Sequence, residues 1–226
     1  MQLALLDGNT ITCRRTVAGS ALAADYLARK DARRLLVIGA GRVASLIPDA
    51  YLSVRAIEHF DIWDVNVGNA VRLVEALRAK GLSAGVAPDV ERAVKDADIV
   101  SAATLATTPI IKGEWLRPGT HVDLIGGFTP AMREADDEAI RRSTVYIDTK
   151  DAVHEAGDLV RPIESGVLDV TSIRATLEDL CRGSAKGRRS NDEITVYKAV
   201  GTALADLATA TMAYETYRAS DTSAEN

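Results

Sequence analysis

Residues 35–44 read Leu35-Leu36-Val37-Ile38-Gly39-Ala40-Gly41-Arg42-Val43-Ala44, a short apolar run that ends on a glycine-rich turn. Such a run predicts a strand buried on both faces. The pattern Gly39-x-Gly41-x-x-Ala44 follows at once and opens a predicted helical stretch to about Val54. That strand-turn-helix context is what makes a glycine pattern a dinucleotide fingerprint. Gly39 permits the tight turn, Gly41 lets backbone approach a pyrophosphate, and the small Ala44 allows close packing of helix on sheet. A diphosphate is then expected on the N–H groups of Arg42, Val43 and Ala44, where a helix dipole also favours negative charge.

Outward from this turn, β-branched runs alternate with helical patterns. Strands are predicted at 59–65, 82–86, 98–103, 121–125 and 145–148, and helices at 66–80, 89–95 and 131–142. In the first of these helices Ala70, Leu73, Val74 and Leu77 share one face, and Lys80-Gly81 supplies the stop. This alternation predicts an α/β fold with a parallel sheet and crossover helices. Asp64 falls near the end of the second strand, 23 residues after Gly41. A carboxylate there accepts both hydroxyls of an adenosine ribose and repels a 2′-phosphate, so NAD(H) is favoured, with NADP(H) possible because Arg42 is close by. The cofactor is expected beyond the carboxyl ends of the strands, near Thr104 after the fourth and Gly126, Gly127 and Phe128 after the fifth.

The flanks read differently. Residues 3–6 and 11–15 look like short strands around an Asp7-Gly8-Asn9 turn, followed by a helix over 18–29. Residues 183–192 form a loop rich in glycine, serine and arginine, then a strand at 193–197 and an alanine-rich helix over 200–218, with a polar tail expected to fray. Arg15 is a candidate for gripping a substrate carboxylate, since a guanidinium binds one through two parallel hydrogen bonds.

Composition removes several other classes. The 226 residues carry 27 Lys plus Arg against 32 Asp plus Glu, a formal charge of −5 that argues against nucleic acid as a partner. Aromatics, at 4%, are too few for a base-stacking platform. Cys13 and Cys181 make neither a disulfide framework nor a zinc spacing, and His59, His121 and His154 lie far apart, so no metal site is expected. No stretch approaches the roughly 20 apolar residues that span a bilayer, and no basic segment precedes an apolar run at the start. The expectation is a cytoplasmic protein with no membrane partner.

Residues 7–16 (DGNTITCRRT), 36–44 (LVIGAGRVA), 115–127 (WLRPGTHVDLIGG), Arg133-Glu134, Asp148, 155–158 (EAGD) and 194–205 (ITVYKAVGTALA) occur in an order and spacing that resembles the ornithine cyclodeaminase/mu-crystallin family. The resemblance implies a Rossmann dinucleotide-binding domain at 31–192 and a partial second domain for substrate and dimer contacts, drawn from 1–30 and 193–226. It assigns Arg15 to the substrate carboxylate, Gly39, Gly41, Arg42, Val43 and Ala44 to the cofactor phosphates, Asp64 to the adenosine ribose and Leu124 to the nicotinamide neighbourhood. Ala199 stands where relatives often have a serine near the carboxamide. Family members have further residues before the DGNTIT stretch, including a lysine used at the substrate, so the chain is expected to begin near the end of that segment. No lysine here occupies the matching position.

Members that deaminate ornithine, and the related alanine dehydrogenases, carry an aspartate after the Gly-Gly pair, where Phe128 stands here. A phenyl ring exchanges no proton but can cover an apolar ring and exclude water, which suits hydride addition to a cyclic C=N. In this respect the chain resembles the ketimine reductases, which act on Δ1-pyrroline-2-carboxylate or Δ1-piperideine-2-carboxylate. The expected activity is NAD(P)H-dependent reduction of such a small cyclic imino acid to L-proline or L-pipecolate by a homodimer. The alternatives are ornithine cyclodeaminase or alanine dehydrogenase activity, or dinucleotide binding without turnover. The resemblance does not assign the proton that the nitrogen takes up.

Overall fold

The structure is a computed structural model and describes residues 3–224. Its strands are β1 (Arg34–Ile38), β2 (His59–Trp63), β3 (Ala84–Val86), β4 (Ile99–Ala102), β5 (His121–Leu124), β6 (Thr144–Ile147), β7 (Ala175–Thr176) and β8 (Thr195–Lys198). They form one sheet in the order β3-β2-β1-β4-β5-β8-β6-β7, with every neighbouring pair parallel. The helices are α1 (Gly8–Leu27), α2 (Ile47–Leu52), α3 (Val67–Ala79), α4 (Val90–Asp96), α5 (Asp137–Arg141), α6 (Ala152–Glu155), α7 (Gly157–Glu164), α8 (Leu177–Arg182) and α9 (Ala203–Ala224). Among the described residues no helix is long and apolar enough to cross a membrane.

The predicted α/β class and the Rossmann order around β1 are present. Strands β1, β4 and β5 are buried along nearly their whole length, as parallel strands covered on both faces must be. One large cluster joins Ile38, Val100, Val122, Leu124 and Val196, and a second joins Leu35, Val37, Phe60, Leu73 and Leu77 on the other side of the sheet. Local chemistry starts the helices where side chains can cap them: Asn66 accepts from the Gly68 N–H, and Asp89 from that of Arg92.

Four expectations are corrected. Residues 8–15 are helix, not turn and strand, because the Asp7 carboxylate accepts from the Thr10 N–H and caps α1. The β-branched Ile11 and Thr12 are overridden by packing, since Val17, Ser20, Ala21, Ala24 and Leu27 recur at helical spacing and are buried. The helix expected after the glycine turn is only a 3-10 turn at Ala44–Leu46 followed by the six-residue α2. The helix expected over 131–142 shrinks to α5, whose N-terminus is set by Asp136 accepting from the Ala139 N–H. At the other end α9 continues through Ala224 rather than fraying from 219.

The segmentation at 30 and 192 does not separate two bodies of structure. β8 lies inside the sheet between β5 and β6, with Thr195, Val196, Tyr197 and Lys198 all buried. α1 packs back on the same sheet, its Ser20 hydroxyl donating to Asp123 on β5 at 3.0 Å. A fully buried four-residue strand needs ladder partners on both edges, and only the interior of a sheet supplies them.

Asp123 gathers this packing at one point. It accepts from Ser20 on α1, from Tyr51 on α2 at 2.8 Å and from Ser101 on β4 at 2.6 Å, all with no solvent contact. Burial pushes its carboxyl above the usual carboxylate value, while the three hydroxyl donors pull it back. Tyr51→Phe keeps the ring in the core and removes one of these donors. It is expected to lower the unfolding free energy by about 1.5–3 kcal/mol, read from urea denaturation midpoints at constant slope. An unchanged midpoint would remove the Tyr51 hydroxyl from this network.

Candidate active site

The strand order reverses between β1 and β4, and at such a switch point the loops beyond the carboxyl ends diverge and leave a crevice. A cleft of about 300 Å³ opens there, and Arg15, Val43, Thr104, Gly126, Phe128 and Gly201 are among its lining residues. Thus α1, the turn after β1, the loops after β4 and β5 and the turn before α9 meet at one place.

The glycine turn forms the wall on the β1 side. Gly39 has φ +102, and a Cβ there would stand 2.7 Å from the Ala103 carbonyl oxygen, so both conformation and close approach require glycine. Gly41 faces open space, with nothing within 4 Å of a Cβ position. Among the described residues no protein acceptor takes the N–H groups of Arg42, Val43 or Ala44. Bare backbone with unpartnered donors fits a dinucleotide diphosphate. The short helix behind it means that these N–H groups, rather than a long helix dipole, supply most of the attraction.

Asp64 stands just beyond β2 and holds this turn in place. Its Oδ2 accepts from the Ala40 N–H at 2.8 Å, and its Oδ1 accepts from the Asn66 N–H at 2.8 Å. The Asn69 side-chain amide also donates to Oδ1 at 3.3 Å, and since an ionised carboxylate has about four acceptor positions, one remains for a ribose hydroxyl.

Arg15 reaches the cleft from α1. Its Nε donates to Asp206 Oδ1 of α9 at 2.8 Å, which fixes the guanidinium plane, while Nη1 and Nη2 have no protein acceptor among the described residues. The guanidinium lies against Gly201, whose N–H and that of Val200 both donate to Asp148 Oδ2. Phe128 is 48% exposed and lines the cleft instead of packing into the core. Leu124 does not line it. Its side chain is wholly buried in the large apolar cluster, and its neighbours Ile125 and Gly126 take the lining positions.

Beneath the Gly126-Gly127 pair lies a cluster of ionisable groups without solvent contact, Glu134, Asp158 and Lys198. Lys198 Nζ donates to the Leu124 carbonyl at 3.1 Å and to that of Gly126, and sits 3.4 Å from Asp158 Oδ2. Asp158 Oδ1 accepts from the N–H groups of Glu134 and Ala135. Glu134 Oε1 accepts from the Thr104 N–H at 2.7 Å and its hydroxyl at 2.9 Å. A Cβ on Gly126 would collide with Glu134, and one on Gly127 with Asp158, so the glycine pair is what lets these acids come so close. Burial pushes the Glu134 carboxyl up to about 8, against the pull of Lys198 and of the Thr104 hydrogen bonds, with the Asp158 charge adding to the rise. His121, by contrast, begins β5 at the far end of the strand, and burial lowers it to about 3, so it stays neutral and takes no part here.

Of the residues singled out in the sequence, Arg15, Val43, Thr104 and Phe128 line one cleft, and Gly39, Gly41, Arg42, Ala44 and Asp64 lie on its β1 and β2 side. The sequence assigns no role to Glu134, Asp158 and Lys198. The available signal was a lysine ending a β-branched strand at 194–198, where an exposed cation is unexpected in a continuous apolar run.

The sequence model of the Ornithine cyclodeaminase/mu-crystallin family matches residues 1–221. A Δ1-pyrroline-2-carboxylate reductase of Paracoccus denitrificans is 43% identical over 206 residues, covering 90% of this chain and 65% of the relative. The structure of Thermococcus litoralis Δ1-pyrroline-2-carboxylate reductase in complex with NADH and L-proline superposes with a TM-score of 0.92 at 40% identity, covering 94% of this chain and 67% of that one. An archaeal alanine dehydrogenase dimer with bound NAD gives 0.86 at 29% identity, with 94% of this chain and 66% of that one covered. The chain therefore spans about two thirds of the length of these relatives.

Glu134 links stability to pH. Its folded value is raised from the usual 4.5 to about 8, so between these values the folded chain holds a proton that the unfolded chain has lost. Its contribution is complete below about 4.5 and is lost as pH rises through about 8. Urea midpoints of the wild type are expected to fall across that interval more steeply than those of Glu134→Gln. Parallel curves would show that the buried carboxyl does not retain its proton.

Proposed function

Because the chain belongs to the ornithine cyclodeaminase/mu-crystallin family, we propose that it reduces a cyclic ketimine carboxylate, Δ1-pyrroline-2-carboxylate or Δ1-piperideine-2-carboxylate, to L-proline or L-pipecolate with NAD(P)H. The observation that carries this reading is the cleft itself, where the free Nη groups of Arg15 and the ring of Phe128 meet beside the glycine turn. When bound, NAD(P)H would supply the hydride, with its diphosphate held at that turn. The residues of the cleft bind and orient the substrate.

Arg15 binds the carboxylate through Nη1 and Nη2, because Asp206 already occupies Nε and sets the plane. A substrate anchored at its carboxylate has its ring directed along the apolar lining of Ile125, Phe128 and Val200. Phe128, half exposed at the mouth, covers that ring and keeps water from the reacting bond. An aspartate in the same place would be able to exchange protons with an open-chain amine, and a phenyl ring is not. Gly41 and the N–H groups of Arg42, Val43 and Ala44 would hold the diphosphate, and Asp64 the adenosine ribose. The carboxylate of Asp64 favours NAD(H), in keeping with the NADH and NAD of the Thermococcus and archaeal structures. Two copies are proposed to form the working unit, since the archaeal alanine dehydrogenase is a dimer and α9 leaves Leu204, Leu207 and Met212 exposed.

The test is NADH oxidation with each of the two imino acids, alongside ammonia release from L-ornithine and NAD reduction with L-alanine. Turnover of an imino acid and neither of the latter reactions is expected. Tight NADH binding by calorimetry without imine turnover would overturn the reductase reading, and ammonia release from ornithine would replace it. For the cofactor, Asp64→Ala is expected to weaken NADH binding by about 1–3 kcal/mol, the cost of losing a charged hydrogen-bond partner. An unchanged dissociation constant would assign the ribose to another residue.

A further inference from the structure

Reduction of a C=N bond needs a proton as well as a hydride, and among the described residues the cleft lining offers few acids. Among the lining residues Arg15 has the one titratable side chain, and a guanidinium does not give up its proton in a protein. The lining hydroxyls are those of Thr12, Thr16 and Thr104, and of these Thr104 alone is hydrogen-bonded to a carboxyl group. We propose that Glu134, acting through the Thr104 hydroxyl, supplies the proton that the substrate nitrogen takes up. This rests on the reductase reading and extends it to a residue that does not itself touch the substrate.

The geometry makes a relay of two bonds. Thr104 Oγ1 lies 2.9 Å from Glu134 Oε1 and accepts from the Ala106 N–H at 3.2 Å. The hydroxyl donates to Oε1 when the carboxyl is ionised; with the proton on Oε1 that bond reverses, Glu134 and Ala106 occupy both lone pairs of the hydroxyl, and its own hydrogen turns towards the cleft. As hydride forms the new C–H bond, the π pair of the C=N bond moves to nitrogen and takes the Thr104 proton. The Thr104 O–H bond is restored by the Glu134 proton, leaving a carboxylate, a secondary amine and an oxidised nicotinamide. Water entering the emptied cleft returns a proton to Glu134 by the same two bonds.

The surroundings suit a carboxyl that holds a proton between turnovers and releases it within one. Glu134 has no solvent contact, and its Oε2 has no hydrogen-bond partner among the described residues. The charged groups bearing on it are Lys198 of β8, which stabilises the carboxylate, and Asp158 at the start of α7, which opposes it. The adjacent Arg133 is turned away, donating to the Ala135 carbonyl and to Asp137. Burial keeps the acid neutral and protonated up to about 8, so the relay is loaded at neutral pH.

The experiment compares wild type with Glu134→Gln, Thr104→Val and Thr104→Ser in NADH-dependent reduction of Δ1-pyrroline-2-carboxylate across pH. For wild type, kcat is expected to fall as pH rises through about 8. Glu134→Gln and Thr104→Val should lower kcat by about 10²-fold, with KM and the NADH dissociation constant within about twofold of wild type, and should lose that alkaline limb. Thr104→Ser should retain most of the rate. Infrared titration without substrate or cofactor should show a protonated carboxyl band that Glu134→Gln removes. An active wild type whose Glu134→Gln and Thr104→Val variants keep its rate and pH profile would overturn the relay. If Glu134→Gln does not fold, Thr104→Val and the wild-type infrared titration decide the question. A wild type without imine turnover would instead overturn the reductase reading.

Discussion

Lys198 has no solvent exposure, and an ammonium removed from water must be met by oxygen on several sides. It is met by the Leu124 and Gly126 carbonyls at the end of β5 and by the Asp158 carboxylate. Each of those contacts shapes the cleft. The carbonyls draw the Gly126-Gly127 segment down over the lysine, and Asp158 in turn fixes the backbone of Glu134 and Ala135. Glu134 then holds Thr104 by both its N–H and its hydroxyl. One buried cation thus organises the loops after β4 and β5 together, and both loops line the cleft.

The cleft divides its work between two walls of different character. On the β1 side, bare backbone and the Asp64 carboxylate offer hydrogen bonds suited to a nucleotide's diphosphate and ribose. On the β5 side, apolar side chains surround a single fixed cation, Arg15, held by Asp206. A dinucleotide and a small apolar anion make opposite demands on a surface. In the proposed function these demands fall to different elements of the cleft. Exposed pairs such as Lys30 with Asp25 or Arg182 with Glu178 play no comparable part, since solvent screens them.

The fold and the cofactor wall were legible because both depend on local rules. A strand followed by Gly39-x-Gly41-x-x-Ala44 has few other uses, and the acidic Asp64 falls where the next strand must end. The reading failed over 8–15, where β-branched Ile11 and Thr12 suggested a strand. A capping aspartate and six buried positions on one face outweighed that preference. It also failed at Leu124, because position near a strand end does not say which face a side chain takes. A shift of one residue along a strand reverses the face, and Ile125 points into the cleft where Leu124 points into the core.

By itself the sequence determined a parallel α/β sheet, a dinucleotide turn and the identities of Arg15 and Phe128, since these follow from periodicity, turn chemistry and residue type. Only the tertiary structure decided that β8 enters the sheet between β5 and β6, 74 positions from its partner, bringing Lys198 under Gly126. It likewise decided that Glu134 meets Thr104 across 30 positions and becomes an acid that keeps its proton. A pairing of this kind leaves no local trace, because its energy comes from desolvation and from neighbours that only the closed sheet supplies.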